Sequence, residues 1–405
     1  MKRLFSWHTI FLVMLLAISV QGCLGIGDNT SNQNFKPVNA GNGQNLQVNT
    51  SNQALFKGKI YFTQRRNLFV IDGARNFHRL TSGSDVRDPA VSPNGKWIAF
   101  VVRHKYASDL VYMSTNGGRW TTLRSGSGQY IPNPPFAPNS TYRWYAQPAW
   151  GTDSTHLLFL CDLEKLNWFS ATGEDAPLLD LQVYSISKNN PSHVQDVAYG
   201  DYGDGGDRDP SYRPGPGHTN QIVYTHYTYD KTETQQVIQI FLEDATMIAN
   251  HPNAGYHPGT AGSGYDPAVP ITPYSTSVAN LEPAFSPDGN YLAYIRRIDP
   301  SHMGLYVMPV AENVTSNPNN SAVQKRALQP YQKSSLIASG QYVSQPVWSP
   351  DGKQIAYLSY NNNEFDIWLA NVSIDAKTGA YHMTGSPVPL TNGGVDADSR
   401  PFWTA

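Results

Sequence analysis

Short apolar runs punctuated by turn residues fill the chain from about residue 58 onward. Lys59-Ile60-Tyr61-Phe62, Asn67-Leu68-Phe69-Val70, Leu157-Leu158-Phe159-Leu160-Cys161, Gln221-Ile222-Val223-Tyr224-Thr225, Tyr291-Leu292-Ala293-Tyr294 and Ile355-Ala356-Tyr357-Leu358 are rich in β-branched or aromatic side chains. Gly, Pro, Asn or Asp bound them. Such runs read as short strands. No long stretch carries the apolar spacing of an amphipathic helix. The pattern predicts an all-β domain.

One turn recurs between these runs. Ser286-Pro287-Asp288-Gly289 and Ser349-Pro350-Asp351-Gly352 are identical, Ser92-Pro93-Asn94-Gly95 differs by one residue, and Trp150-Gly151-Thr152-Asp153 is an eroded copy. Proline sets φ for the first turn position, Asp or Asn bonds locally, and Gly takes φ > 0. Each turn follows a proline and a hydrophobic residue, so each predicts a hairpin led by an inner strand. Six prolines open such strands: Pro89, Pro148, Pro210, Pro283, Pro346 and Pro401. Their intervals are 59, 62, 73, 63 and 55 residues. A minimal propeller blade needs about 40–45 residues, and the excess falls in loops. The third copy has Arg213-Pro214-Gly215-Pro216-Gly217 in place of the turn.

This repeat resembles the WD40-like (PD40) motif of TolB-type β-propellers, with specific motifs in three of the copies. The resemblance implies a six-bladed propeller of four-stranded blades over residues 58–405, in the cell envelope; a seven-bladed ring, with a fragment hidden in the 73-residue interval after Pro210, is the competing reading. The ends complement each other. Asp398-Ser399-Arg400-Pro401-Phe402-Trp403 supplies one strand, and the segment from Lys59 to Leu80 lacks that strand but has the rest. The expectation is a ring closed by pairing of the C-terminal strand with the N-terminal blade, which leaves no open edge.

The N-terminus is a separate device. Lys2 and Arg3 precede an apolar run, Ile10 to Val20, too short to span a bilayer. Val20-Gln21-Gly22-Cys23 follows. The parts are those of a secretory signal peptide, and the last four residues resemble a bacterial lipobox, with Gln21 in place of the usual small residue. The resemblance implies removal of residues 1–22 and lipidation of Cys23, anchoring an exported protein to a bacterial membrane without a spanning helix. Ordinary secretion is the competing reading. Residues 23–57 then read as the lipidated cysteine and a flexible tether, because Leu24 to Ala54 is rich in Asn, Gln, Gly and Ser and poor in apolar residues.

Composition and charge narrow the chemistry. Lys and Arg number 29 against 31 Asp and Glu, a net charge of −2, with no basic stripe to suggest nucleic acid. Two cysteines leave no disulfide framework, and Cys161 reads as a buried structural thiol. No Gly-X-Ser-X-Gly elbow, His-Glu-X-X-His, phosphate loop or dinucleotide fingerprint occurs. His218, His226, His251 and His257 share one stretch without a metal-ligand spacing.

Two features remain as candidate sites. Asp201, Asp204, Asp207 and Asp209 lie among glycines, which offers oxygen ligands for calcium; the competing reading is a polar loop leading into the third inner strand. Two insertions, Ser125 to Ala146 and Glu243 to Asn280, carry Tyr130, Tyr142, Trp144, Tyr145, Tyr256, Tyr265 and Tyr274. Both are expected between an outer strand and the next inner strand, hence on one face of the ring. Aromatics there suit a protein or glycan ligand of the envelope; packing of the loops is the bland alternative. The expectation is an interaction module, with a propeller enzyme of polysaccharide lyase or hydrolase type, its site at the channel mouth, as the alternative.

Overall fold

The computed structural model describes residues 34–38, 46–128, 142–163, 181–198, 200, 205–218, 220–246, 268–317 and 319–405. Cys23, Tyr130, Tyr256, Tyr265, Asp201 and Asp204 lie outside them. The chain folds as an all-β propeller of four-stranded blades. The inner strands are Asp85–Val91, Tyr145–Trp150, Asp207–Tyr212, Ala279–Phe285, Val343–Trp348 and Phe402–Thr404. Each begins an antiparallel sheet that runs outward in sequence order, except that Phe402–Thr404 pairs with Lys59–Gln64 from the other end of the chain. The register there sets Phe402 against Tyr61 and Thr404 against Lys59.

Seven sheets form among the described residues, one more than expected. The seventh has three strands, Phe35–Pro37, Gln47–Asn49 and Thr391–Asn392. Its first two strands come from the segment expected to be a flexible tether, so that expectation is corrected for these residues. The physical reason is an edge. In the sheet begun by Val343–Trp348 the outer strand is split, Tyr381–Met383 and Val388–Pro389 pairing with different parts of Glu364–Ile374. Asn49 continues that edge, its amide donating to the Leu390 carbonyl at 2.9 Å and its Nδ2 to the Pro389 carbonyl at 2.8 Å. Leu46 and Val48 bury themselves beside Leu390, Ile367 and Ile60. A segment too polar to fold alone is ordered by a core it borrows.

The repeated turns have the predicted chemistry. Gly95, Gly289 and Gly352 take φ of +69°, +72° and +68°. The serine hydroxyl receives the amide of the residue that opens the second strand, at 3.0 Å for Ser92 with Trp97 and 2.9 Å for Ser349 with Gln354. Tryptophans at the start of the eroded turn and just before the Ser349 turn tie neighbouring sheets. Trp150 and Trp348 donate through Nε1 to the Ala90 and Ala284 carbonyls of the preceding inner strand, both at 3.0 Å. The third sheet, which lacks the motif turn, uses Arg213 instead. Its fully buried guanidinium donates to the Gly289 carbonyl at 2.7 Å and to Gln221 Oε1 at 2.8 Å, and pairs with Glu312. The contact is close enough that a Cβ on Gly289 would stand 2.2 Å from the Pro214 carbonyl oxygen.

Candidate functional site

Strand direction gives the molecule two unlike faces. The turns joining first to second and third to fourth strands open on one, the turn face. Connections from second to third strand, and from each outer strand to the next inner one, open on the other, the loop face. The inner strands carry a bulge at the residue preceding the proline, where pairing skips from Arg87 to Ala90, Ala146 to Ala149, Arg208 to Ser211, Leu281 to Ala284 and Ser344 to Val347. Proline has no amide to give the ladder, so the bulge sets it aside. The preceding residues Asp88, Gln147, Asp209, Glu282 and Gln345 all have φ between +47° and +57°.

That backbone hand turns these side chains toward the axis, where they form a belt. Asp88 accepts the amides of Gln147 and Arg400, each at 3.2 Å. Gln147 exchanges two bonds with Asp209, at 2.7 and 2.8 Å. The Thr225 hydroxyl bonds Asp209 at 3.3 Å and receives the Glu282 amide at 3.0 Å. Glu282 accepts the Gln345 amide at 2.5 Å. Arg400 reaches across to the Pro283 carbonyl at 2.9 Å. Burial pushes the Asp88 carboxyl up. Burial and then the neighbouring Asp209 carboxylate push Glu282 up to about 8.

On the turn-face side of the belt lies a cavity of about 420 Å³, lined by all six inner strands. Its walls include Pro89, Pro148 and Pro346 and the edges of Trp150, Trp348 and Trp403; Asp88, Gln147 and Arg400 form its floor. Asp88 and Arg400 are the charged side chains among the described lining residues. On the loop-face side, Arg87 contacts Asp85 at 2.7 Å, Asp396 at 3.2 Å and Asp398 at 3.1 Å, and Arg103 contacts Asp398 at 2.5 Å. Partial burial pushes the Asp398 carboxyl up, but Arg103 and Arg87 outweigh it and leave it below the ordinary value. Asp396 also caps the amides of Arg65 and Arg66 at 2.8 and 2.7 Å. This latch joins the segment before the last strand to the first blade.

The expected site residues separate. Asp209 belongs to the belt, whereas Asp207 is buried against His226 Nδ1 at 2.8 Å. The two carboxylates therefore serve different partners, and no cluster of three metal-ligating side chains occurs among the described residues. Tyr142 packs against Tyr106 with centroids 5.8 Å apart and the rings tilted by 39°, and Trp144 is exposed. Tyr145 is not a surface residue: it is 4% exposed, packed on Phe159 at 5.7 Å. Cys161 is buried, and its burial raises the thiol pKa far above the ordinary value.

The shared face of the two insertions is corrected. Gln236–Asp244 is the third strand of its sheet and Val269–Pro270 the fourth. Asp244 therefore ends, and Val269 begins, on the turn face, and Tyr274, between Val269–Pro270 and Ala279–Phe285, joins Trp144 on the loop face. An outer strand of two residues, one of them proline, left no pattern to read.

No family model matches the chain. Among solved structures, TolB from Acinetobacter baumannii superposes with a TM-score of 0.51 and 15% identity, over 85% of this chain and 66% of TolB. The chain is similar in fold to TolB. It spans just under two thirds of that protein's length, and at this identity the likeness speaks for the propeller alone. Weaker matches include a nidogen/laminin complex structure, with a TM-score of 0.46, 9% identity and coverage of 85% and 96% of the two chains. An oligogalacturonate lyase in complex with manganese gives a TM-score of 0.42, 12% identity and coverage of 86% and 83%.

Proposed function

We propose that this chain is an interaction module of the bacterial cell envelope, held at a membrane by lipid on Cys23, that captures a protein or glycan through its loop face. One observation carries the reading. Tyr106, Trp144, Tyr229, Tyr274 and Tyr342 are between 37% and 57% exposed. All five fall in or beside connections that open on the loop face. Aromatic side chains spread around a polar mouth offer large contact area at low entropic cost. The belt carboxylates, in contrast, each hold a neighbouring strand, Asp88 and Glu282 through backbone amides and Asp209 through Gln147 Nε2 and the Thr225 hydroxyl. Pairing of Phe402–Thr404 with the first blade, and the Asp396–Asp398 latch, support closure of the ring that presents this face. The propeller-enzyme alternative, of polysaccharide lyase or hydrolase type, keeps one observation in its favour, the buried Asp207 aligned on His226.

The test is the double substitution Trp144→Ala, Tyr274→Ala. Capture of envelope protein or glycan by the purified protein should fall at least about tenfold, which corresponds to about 1.4 kcal/mol, while the melting temperature stays near the parent's. Turnover of a glycan or peptide that is abolished by His226→Ala would replace the binding reading with the enzyme.

A further inference from the structure

We propose that the turn-face cavity is a second binding site, for a compact apolar ligand that ends in an uncharged amide. The volume, about 420 Å³, is that of a small-molecule site rather than a packing defect. The walls are proline rings and tryptophan edges, which favour an apolar and preferably aromatic body. Their hydrogen-bonding capacity is already used: the indole N–H groups of Trp150, Trp348 and Trp403 donate to the carbonyls of Ala90, Ala284 and Lys57. Charged recognition is thereby confined to the floor; the hydroxyls of Thr152 and Ser211 are further polar groups of the walls.

The floor selects the polar end. Gln147 is committed at both ends of its amide to Asp209. Asp88 and Arg400 remain. Each Asp88 oxygen takes one backbone amide and retains a lone pair, and Arg400 is partly exposed. The Arg400 guanidinium is drawn toward the Pro283 carbonyl and lies 3.9 Å from Asp209, so donor and acceptor sit at separate points of one floor. A carboxylate ligand would share that floor with Asp88 and an ammonium would share it with Arg400, so either charge meets a like charge there and its desolvation is poorly compensated. A neutral amide offers its carbonyl to Arg400 and its N–H to Asp88, and both bonds are charge-assisted. The amide can belong to a free small molecule or to a blocked apolar peptide; the chemistry recognised is the same.

N-acetyl-L-phenylalaninamide, a blocked pentapeptide amide with central phenylalanine, N-acetyl-L-phenylalanine and phenethylamine would each be titrated into the protein by calorimetry. Saturable binding of either amide, at least about tenfold tighter than the acid or the amine, is the expected result. Binding of the pentapeptide alone would make the ligand a peptide segment; binding of both would make it a small molecule. Thr152 is exposed and lies at the cavity mouth, so Thr152→Trp should block binding without disturbing a blade. Arg400→Gln should weaken the amides but leave the amine unchanged or tighter. No amide binding, tighter binding of the acid or amine, or amide binding undiminished in Thr152→Trp would each overturn the site. The loop-face aromatics are untouched throughout, so the outcome is independent of the surface assigned to macromolecular capture.

Discussion

Asp88, Gln147, Asp209, Glu282 and Gln345 hold a backbone hand that costs an L-residue roughly 1 kcal/mol. The hydrogen bonds of the belt offset that strain. Gln147 separates the two effects. Gln147→Ala loses the side chain and keeps the strain, whereas Gln147→Gly loses the side chain and relieves the strain. In urea unfolding the glycine variant should be the more stable by about 1 kcal/mol; equal stabilities would remove the strain from the account. Glu282 adds a pH dependence. Its carboxyl titrates near 8 when folded against about 4.3 unfolded, so the folded state holds the extra proton between those values. The contribution of this group is then full below about pH 4 and declines as pH rises toward 8, with a slope of at most about 1.4 kcal/mol per unit. Glu282→Gln keeps an acceptor for the Gln345 amide and should flatten that decline, read as melting temperature against pH. The belt was only half legible in the sequence. The six prolines mark it, but the residues before them are Asp, Gln, Asp, Glu, Gln and Arg, and no composition rule announces a left-handed backbone or an inward side chain.

Among the elements, the inner strands and their turns were legible because their chemistry is local. Ser-Pro-Asp-Gly specifies its own hydrogen bonds wherever it stands. Outer strands were not: Val269–Pro270 and Val388–Pro389 are two residues each and owe their conformation to the strand beside them. The same holds for Gln47–Asn49, whose partner Thr391–Asn392 lies more than 300 residues away, and for Phe35–Pro37, which pairs with it. The strand Phe402–Thr404 is short as well, yet its Trp403 is buried beside Phe56 and Ile60 and its neighbours feed the Arg87 latch. Removing residues 398–405 should therefore lower the melting temperature by much more than a surface truncation of equal length. A melting curve that does not move would show that this pairing contributes nothing to the ring.

At the scale of the molecule, two faces with unlike chemistry share one axis. The loop face is rimmed with exposed aromatics around an ion-pair latch; the turn face opens on a proline-lined cavity. If Cys23 carries lipid, Cys23→Ser should move the protein from the membrane to the soluble fraction without changing its melting temperature, because the blades contribute no membrane-crossing helix among the described residues. Protein that stays in the membrane fraction would dismiss the anchor. Neither the aromatic rim nor the cavity could be assembled from sequence, since each draws on connections or strands from most of the chain.

The three-stranded sheet acquires a mechanical meaning if residues ahead of Asn34 are tethered. A pull on Asn34 cannot load Lys59–Gln64 directly. It must first part Phe35–Pro37 from Gln47–Asn49, and then Gln47–Asn49 from Thr391–Asn392. These pairings are two or three residues long, so they yield one after another at low force, while every blade also contains longer pairings, as between Lys59–Gln64 and Asn67–Asp72. The sheet thus behaves as a fuse. It would release the roughly 24 residues between Asn34 and Lys59, about 80 Å of extended chain, before tension reaches the propeller, and single-molecule pulling from residue 34 should show that step first.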